Sequence, residues 1–413
     1  MTGTGPYAAR RGPKRSVGPS SAPDLRLAAS ALGLVIVAST AVSSFSGSIG
    51  DALLLGASAL SITIFLTRYR RIRGIVLLGL AFLVMYAIGT VFMPYSEQGF
   101  RNTLSAFSGL STLALFAAYG NEMLGYRGFR FALYAICAVG LIGLGSLDLP
   151  KNITGGTVLY LVALVTISII SQARRGFWMY SSLFVATSVL LSFWMDFRGL
   201  LGYAAVFAAA MVGAHVLRPR AYWLVGIVGS VAIISATLWY FLNVNQNQLI
   251  NDITRIVSET SGRRALSGRD WLWPAILSAV ESSPLMGLGS GALPRDIMQT
   301  DLSAHNYYLQ LYLQIGLVGL AILTSLLLVV WRRLAFGRSP AVQFGSALFL
   351  MFVAHNSTEV LMFQNGLIAA VPAWCAIGIA ISVAMHESLA ESSGFSTDRS
   401  SVRSRSTRGS PRW

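Results

Sequence analysis

The chain has 413 residues, of which 54% are hydrophobic and only 11% charged, with mean hydropathy +0.62 and a net charge of +15. A soluble domain carries roughly a quarter charged residues, and a disordered chain lacks this apolar, aromatic body. Both classes are excluded for the body of the chain, which leaves an all-α polytopic membrane protein.

Residues 1–24 read as a disordered, basic cytoplasmic tail containing Arg10, Arg11, Lys14 and Arg15. Arg10-Arg11 is similar to a twin-arginine export signal, but an uncleaved first helix is the stronger reading, because a long apolar stretch without a clear cleavage site and many further spans follow. Apolar runs then recur near 25–45, 51–67, 74–93, 102–119, 129–146, 154–172, 177–195, 198–216, 222–242, 306–331, 341–362 and 366–386. They are continuously apolar and of membrane-crossing length, so about twelve transmembrane helices are expected. Helices 1–9 fill 25–242, and helices 10–12 fill 305–386. Residues 387–413 form a second, Ser/Arg-rich tail, expected to be disordered and cytoplasmic. The two cysteines, Cys137 and Cys375, sit in apolar runs and read as buried free thiols.

Basic residues set the expected topology. Arginines cluster in the breaks after spans 2, 4, 6, 8 and 10, starting with RYRRIR at 68–73. With both tails on that side, one face holds 23 basic residues against 5 acids, and the other holds 8 against 11. The multi-pass chain is therefore expected to have both termini cytoplasmic. Its positive charge is a topology signal and an attraction to anionic lipid, not a nucleic-acid footprint.

Residues 243–304, between spans 9 and 10, form the one large external loop, and long loops among compact spans are usually functional. Ser267 to Asp270 has capping-box spacing ahead of a helix from Trp271 to about Ser282. Leu272, Ile276, Leu277 and Val280 give that helix an apolar face, for the bundle or for the membrane surface. Pro284 ends it, and the glycine-rich stretch GLGSG follows at 287–291.

Arginines in this loop stand out, although long loops are exempt from the positive-inside rule. Arg255 and Arg295 read as surface salt-bridge partners of the loop acids. Arg269, at a helix start near the glycine-rich stretch, reads equally as a phosphate-contacting fork or as another ion pair. Arg198, at the outer end of an apolar helix, is a functional candidate or the partner of Asp196. His305 opens span 10 and could exchange a proton near neutral pH, or be an interfacial belt residue. His355-Asn356, with Glu359 one turn on, reads as a structural polar pair within span 11 or a polar lining; His215 and His386 look unremarkable. No metal-ligand cluster, dinucleotide fingerprint, P-loop or GxSxG element is present, so no cofactor and no metal are implied.

Four stretches together resemble the O-antigen ligase and polymerase family: SGRDWLW at 267–273, SPLMGLGSG at 283–291, AHNYYL at 304–309 and QIGLVGL at 314–320. Phe197-Arg198-Gly199 is similar to the family's earlier Ser-Arg-Gly element, with Phe in place of Ser. The resemblance implies a metal-independent, inverting membrane glycosyltransferase. It would move a glycan from undecaprenyl diphosphate to an acceptor sugar hydroxyl of a glycan or glycolipid, on the outer side of a bacterial plasma membrane, in cell-surface polysaccharide biosynthesis. It also implies that Arg198 and Arg269 bind the donor diphosphate and that His305 orients or deprotonates the acceptor. Asn306, Arg264, Gly287 and Gly289 are expected to support them. Ligase and polymerase are not separated by these residues. The rival reading is a polytopic transporter or flippase of lipid-linked sugars; scarce acids within the spans and a single asymmetric loop weigh against it.

Overall fold

The computed structural model describes residues 23–43, 47–145, 151–172, 176–195, 197–243, 246–261, 268–298, 303–364 and 367–405. Among these, all regular structure is helical. In chain order the helices are α1 (Pro23–Ser43), α2 (Gly47–Leu66), α3 (Tyr69–Phe92), α4 (Ser96–Gly125), α5 (Arg127–Gly145), α6 (Lys151–Gln172), α7 (Phe177–Trp194) and α8 (Gly199–Val216). Then come α9 (Pro219–Asn243), α10 (Gln248–Ser261), α11 (Arg269–Val280), α12 (Pro294–Met298), α13 (Tyr307–Ala335), α14 (Pro340–His355) and α15 (Leu367–Arg405).

Eleven of the described helices are long and apolar enough to cross a membrane. At 1.5 Å per residue, an 18-residue helix covers about 27 Å, close to the hydrocarbon thickness. The chain is an all-α, multi-pass membrane protein. The expected split around residue 196 is present, because α7 ends at Trp194 and α8 begins at Gly199; Asp196 itself lies outside the described residues.

Three expectations change. The run at 341–362 is not one span: α14 has 16 residues and stops at His355. Asn356 stops it, since its side-chain oxygen accepts from the amides of Leu361 (3.3 Å) and Met362 (2.8 Å), holding the chain in a compact turn. The helix in the external loop starts at Arg269, with Gly268 at its N-cap in a left-handed conformation, and it ends at Val280 instead of reaching Ser282; Ser267 lies outside the described residues. At the C-terminus α15 remains helical to Arg405, past the expected tail boundary, because extending an existing helix costs far less than nucleating one. The tail at 1–22 lies outside the described residues, and Pro23 and Asp24 already belong to α1.

The bundle has a core and a periphery. Inside the protein lie 83% of the α15 span and 78% of the α4 and α6 spans, against 11% of α9. Small residues bring the core helices together: a Cβ on Gly378 would stand 2.6 Å from that of Phe116, and one on Gly120 would stand 2.9 Å from the Cα of Ile379.

One core helix is broken, and the break places the site. In α13, Gly316 has φ 62° and ψ −162°, a region essentially reserved for glycine. Interrupted backbone at membrane depth must find partners within the protein. Here the glycine-rich loop supplies them. Leu288 N donates to Leu313 O (2.8 Å) and Gly289 N to Gln314 O (3.1 Å); Leu317 N donates to Pro284 O (3.0 Å) and Val318 N to Leu285 O (3.2 Å). The SPLMGLGSG and QIGLVGL stretches are thus two halves of one backbone joint.

Candidate functional site

The starts of α6, α8, α11 and α13 and the ends of α9 and α14 meet at one end of the bundle. Three segments build the site: the start of α11, the approach to α13, and the turn after α14. Leu272, Trp273, Ile276 and Val280 are buried, so α11 packs on the bundle through the expected apolar face. Trp273 Nε1 donates to Ala304 O (2.8 Å), which pins the residue before His305. Asn306 then N-caps α13 by accepting from Leu309 N (2.9 Å), and its amide donates to Ser357 O (2.9 Å). Tyr307 N donates to Asn356 O (2.9 Å). Asn306 therefore ties the approach to α13 onto the turn after α14. His305, between these anchors, is held at φ 47°, an uncommon conformation for a non-glycine residue that cluster at functional sites can retain.

The residue at the centre is Glu359. Its Oε2 accepts from Asn152 Nδ2 (2.8 Å) and His305 Nδ1 (3.1 Å). Its Oε1 lies 3.7 Å from Arg269 Nη2, which also donates to Thr358 O (3.3 Å). The Arg269 guanidinium stands 5.6 Å over the Phe241 ring, and its Nε is buried without a hydrogen-bond partner. Burial pushes the Glu359 carboxyl up, but the His305 hydrogen bond and the neighbouring His305, His355 and Arg269 outweigh it and hold the group below its ordinary range. An ionised Glu359 can only accept, so His305 Nδ1 carries the proton of that bond. The lone pair of a neutral His305 then sits on Nε2. The side chain is 27% exposed, so a reactant can reach it.

Arg198 is exposed at the N-cap of α8. Its neighbour Phe197 lies 6.0 Å from the His355 ring. One turn on, Tyr203 stacks on His355 at 4.2 Å and hydrogen-bonds Thr358. The start of α8 and Arg269 thus border the same 355–359 segment. His355 is a packing element, stacked between Tyr203 and Tyr160 and bonded through Nδ1 to the Tyr160 hydroxyl (2.8 Å).

Gly287 and Gly289 do not join this cluster. Their amides donate to Ser283 O and Gln314 O, and a Cβ on Gly287 would stand 2.5 Å from Gln314 C. They serve the joint with α13. Arg264 lies outside the described residues. Arg255 pairs with Asp252 (3.4 Å) and Glu259 (3.7 Å), and Arg295 lies 3.9 Å from Asp296, as read for surface salt bridges.

Sequence reading missed Glu359 as the partner of His305 and missed Asn152 altogether. A carboxylate in a nearly acid-free apolar run was the available signal for Glu359. Asn152, in the polar pair Lys151-Asn152 at a helix start, carries no comparable signal. Comparison with models of known families and with curated proteins finds no match.

Proposed function

We propose that this chain is a membrane glycosyltransferase of the O-antigen ligase and polymerase type. It transfers a glycan from undecaprenyl diphosphate to an acceptor sugar hydroxyl on the outer face of a bacterial plasma membrane. The observation that carries the reading is the His305–Glu359–Arg269 arrangement at the loop-bearing end of the bundle. It joins a general base and a fixed cation around one carboxylate.

His305 Nε2 takes the proton of the acceptor hydroxyl while Glu359, bonded through Nδ1, orients the ring and stabilises the imidazolium. The acceptor oxygen bonds to the anomeric carbon from the face opposite the leaving group, which inverts its configuration. The bond from that carbon to the phosphate oxygen breaks, and its electron pair leaves with the lipid diphosphate. Arg269 and Arg198 face the charge that develops there and stabilise it electrostatically. The 269, 304–306 and 314–320 pieces of the motif meet at this end or brace it, which supports the resemblance.

The test uses purified protein, a synthetic undecaprenyl-diphosphate glycan and an acceptor glycan, with no membrane gradient. Release of undecaprenyl diphosphate with glycan transfer is expected. Failure to turn over, with gradient-dependent movement of intact donor in vesicles, would replace this reading with a flippase. In a strain lacking the protein, lipid-linked glycan accumulates, as single repeat units for a polymerase and as long chains for a ligase.

A further inference from the structure

At the end of the bundle opposite the candidate site, the start of α3, the end of α13, the link that follows it and α15 border an open cavity of about 580 Å³. Arg332, Arg333 and Arg338 line it, beside an apolar wall that includes Val329, Phe336 and Met385. Among the described residues, none of the three guanidinium groups has an ion-pair or hydrogen-bond partner. Glu387, the one acid among the described residues lining the cavity, is turned to backbone: its Oε2 accepts from the amides of Arg338 (3.2 Å) and Ser339 (3.4 Å).

A neighbouring basic cluster at the same end is built otherwise. There Arg26 and Arg68 both pair with the Glu122 carboxylate. The α13 dipole accounts for Arg332 and Arg333 in its last turn. It does not account for Arg338, which lies beyond the helix, nor for three cations that share one cavity without a partner among the described residues.

We propose that this cavity binds the phosphate of an anionic phospholipid, the arginines holding the headgroup and the apolar wall taking the start of an acyl chain. Guanidinium forks match phosphate oxygens, and basic pockets between membrane helices take anionic headgroups. A soluble phosphate satisfies the arginines equally but has no use for the apolar wall, and this favours the lipid.

The experiment titrates delipidated full-length protein in neutral detergent with phosphatidylglycerol or phosphatidylcholine and counts bound lipid by native mass spectrometry. Phosphatidylglycerol is expected to bind on the order of tenfold more tightly or better. Each of R332Q, R333Q and R338Q should cost about fivefold, and the triple variant should fall to the phosphatidylcholine level. R127Q/R130Q, which changes basic residues away from the cavity, should bind as wild type does. Should the triple variant fail to fold, Ala384→Trp fills the cavity at unchanged charge and should abolish the preference. Equal affinity for the two lipids, or an equal loss in R127Q/R130Q, would overturn the proposal. Displacement of bound phosphatidylglycerol by excess inorganic phosphate, with no dependence on the Ala384→Trp change, would reassign the cavity to soluble phosphate. The result does not depend on the reaction at the other end.

Discussion

The two ends of the bundle each gather cationic side chains around one carboxylate, and they use it differently. At one end Glu122 is saturated: Arg68 engages both of its oxygens, one at 2.8 Å, Arg26 adds a third contact at 3.2 Å, and His386 stands 3.6 Å away. Arg68 also lies 4.1 Å over the Tyr119 ring and donates to Ala118 O. That cluster locks α1, the start of α3, α4 and α15 together. At the other end Glu359 gives one oxygen to Asn152 and His305, and keeps Arg269 only at 3.7 Å. Among the described residues, the buried Nε of Arg269 has no hydrogen-bond partner. A closed set of hydrogen bonds is a structural rivet, whereas an open one leaves donors and a ring nitrogen for a reactant.

Replacing the groups proposed to act in transfer should separate the ends most sharply. His305→Ala and Arg269→Ala are each expected to lower transfer by about 10²–10⁴-fold with the thermal transition retained; full turnover in a folded variant of either would remove that residue from the chemistry. Arg269→Lys should recover little, since a point charge does not reproduce the fork.

Glu359→Gln should have the next largest effect, on the order of 10²-fold in kcat with KM for donor nearly unchanged. The amide can still accept from His305 but cannot stabilise an imidazolium. A compensating rise in KM instead would indicate a donor-binding role.

Glu122→Gln is expected to do the reverse, costing about 3 kcal/mol of stability because Arg68 is left largely buried without its counter-charge. The catalytic rate per folded molecule should be unchanged. A selective loss of rate would break the contrast between the ends.

The smallest effect concerns pH. The Glu359 carboxyl is held below its ordinary value of 4.5. Its contribution to stability is therefore fully present above that pH and is lost as pH falls through the lower folded value. The difference in melting temperature between wild type and Glu359→Gln should be constant above about pH 5 and shrink on further acidification. A difference growing on acidification would reverse the sign and reject an ionised Glu359.

Much of the architecture was legible in the sequence because hydrocarbon imposes a one-dimensional rule: a spanning segment must be long, apolar and internally hydrogen-bonded. Composition and run length therefore determine an all-α membrane protein, and nearly all of the spans follow. His305 and Arg269 were legible as well, being polar residues with special chemistry at helix starts beside a long loop, and Asn306 came with them only through the family resemblance. Apolarity alone, however, does not tell a span from a buried turn. The run after Pro340 stays apolar past His355, and only Asn356, by capping the amides of Leu361 and Met362, ends the helix there.

Tertiary structure alone decided two further points. The glycines at 287 and 289 were expected to support the site residues, yet their backbone closes the break in α13, because carbonyls and amides freed by Gly316 inside the bundle have no water to turn to. Glu359 looked like a companion of His355 one turn earlier, yet it serves His305, 54 residues before it in the chain. Spacing along one helix reports neighbours on that helix. Which side chain a buried carboxylate meets depends on how separate helices converge, and that is set by three-dimensional packing and the need to satisfy a charge away from water.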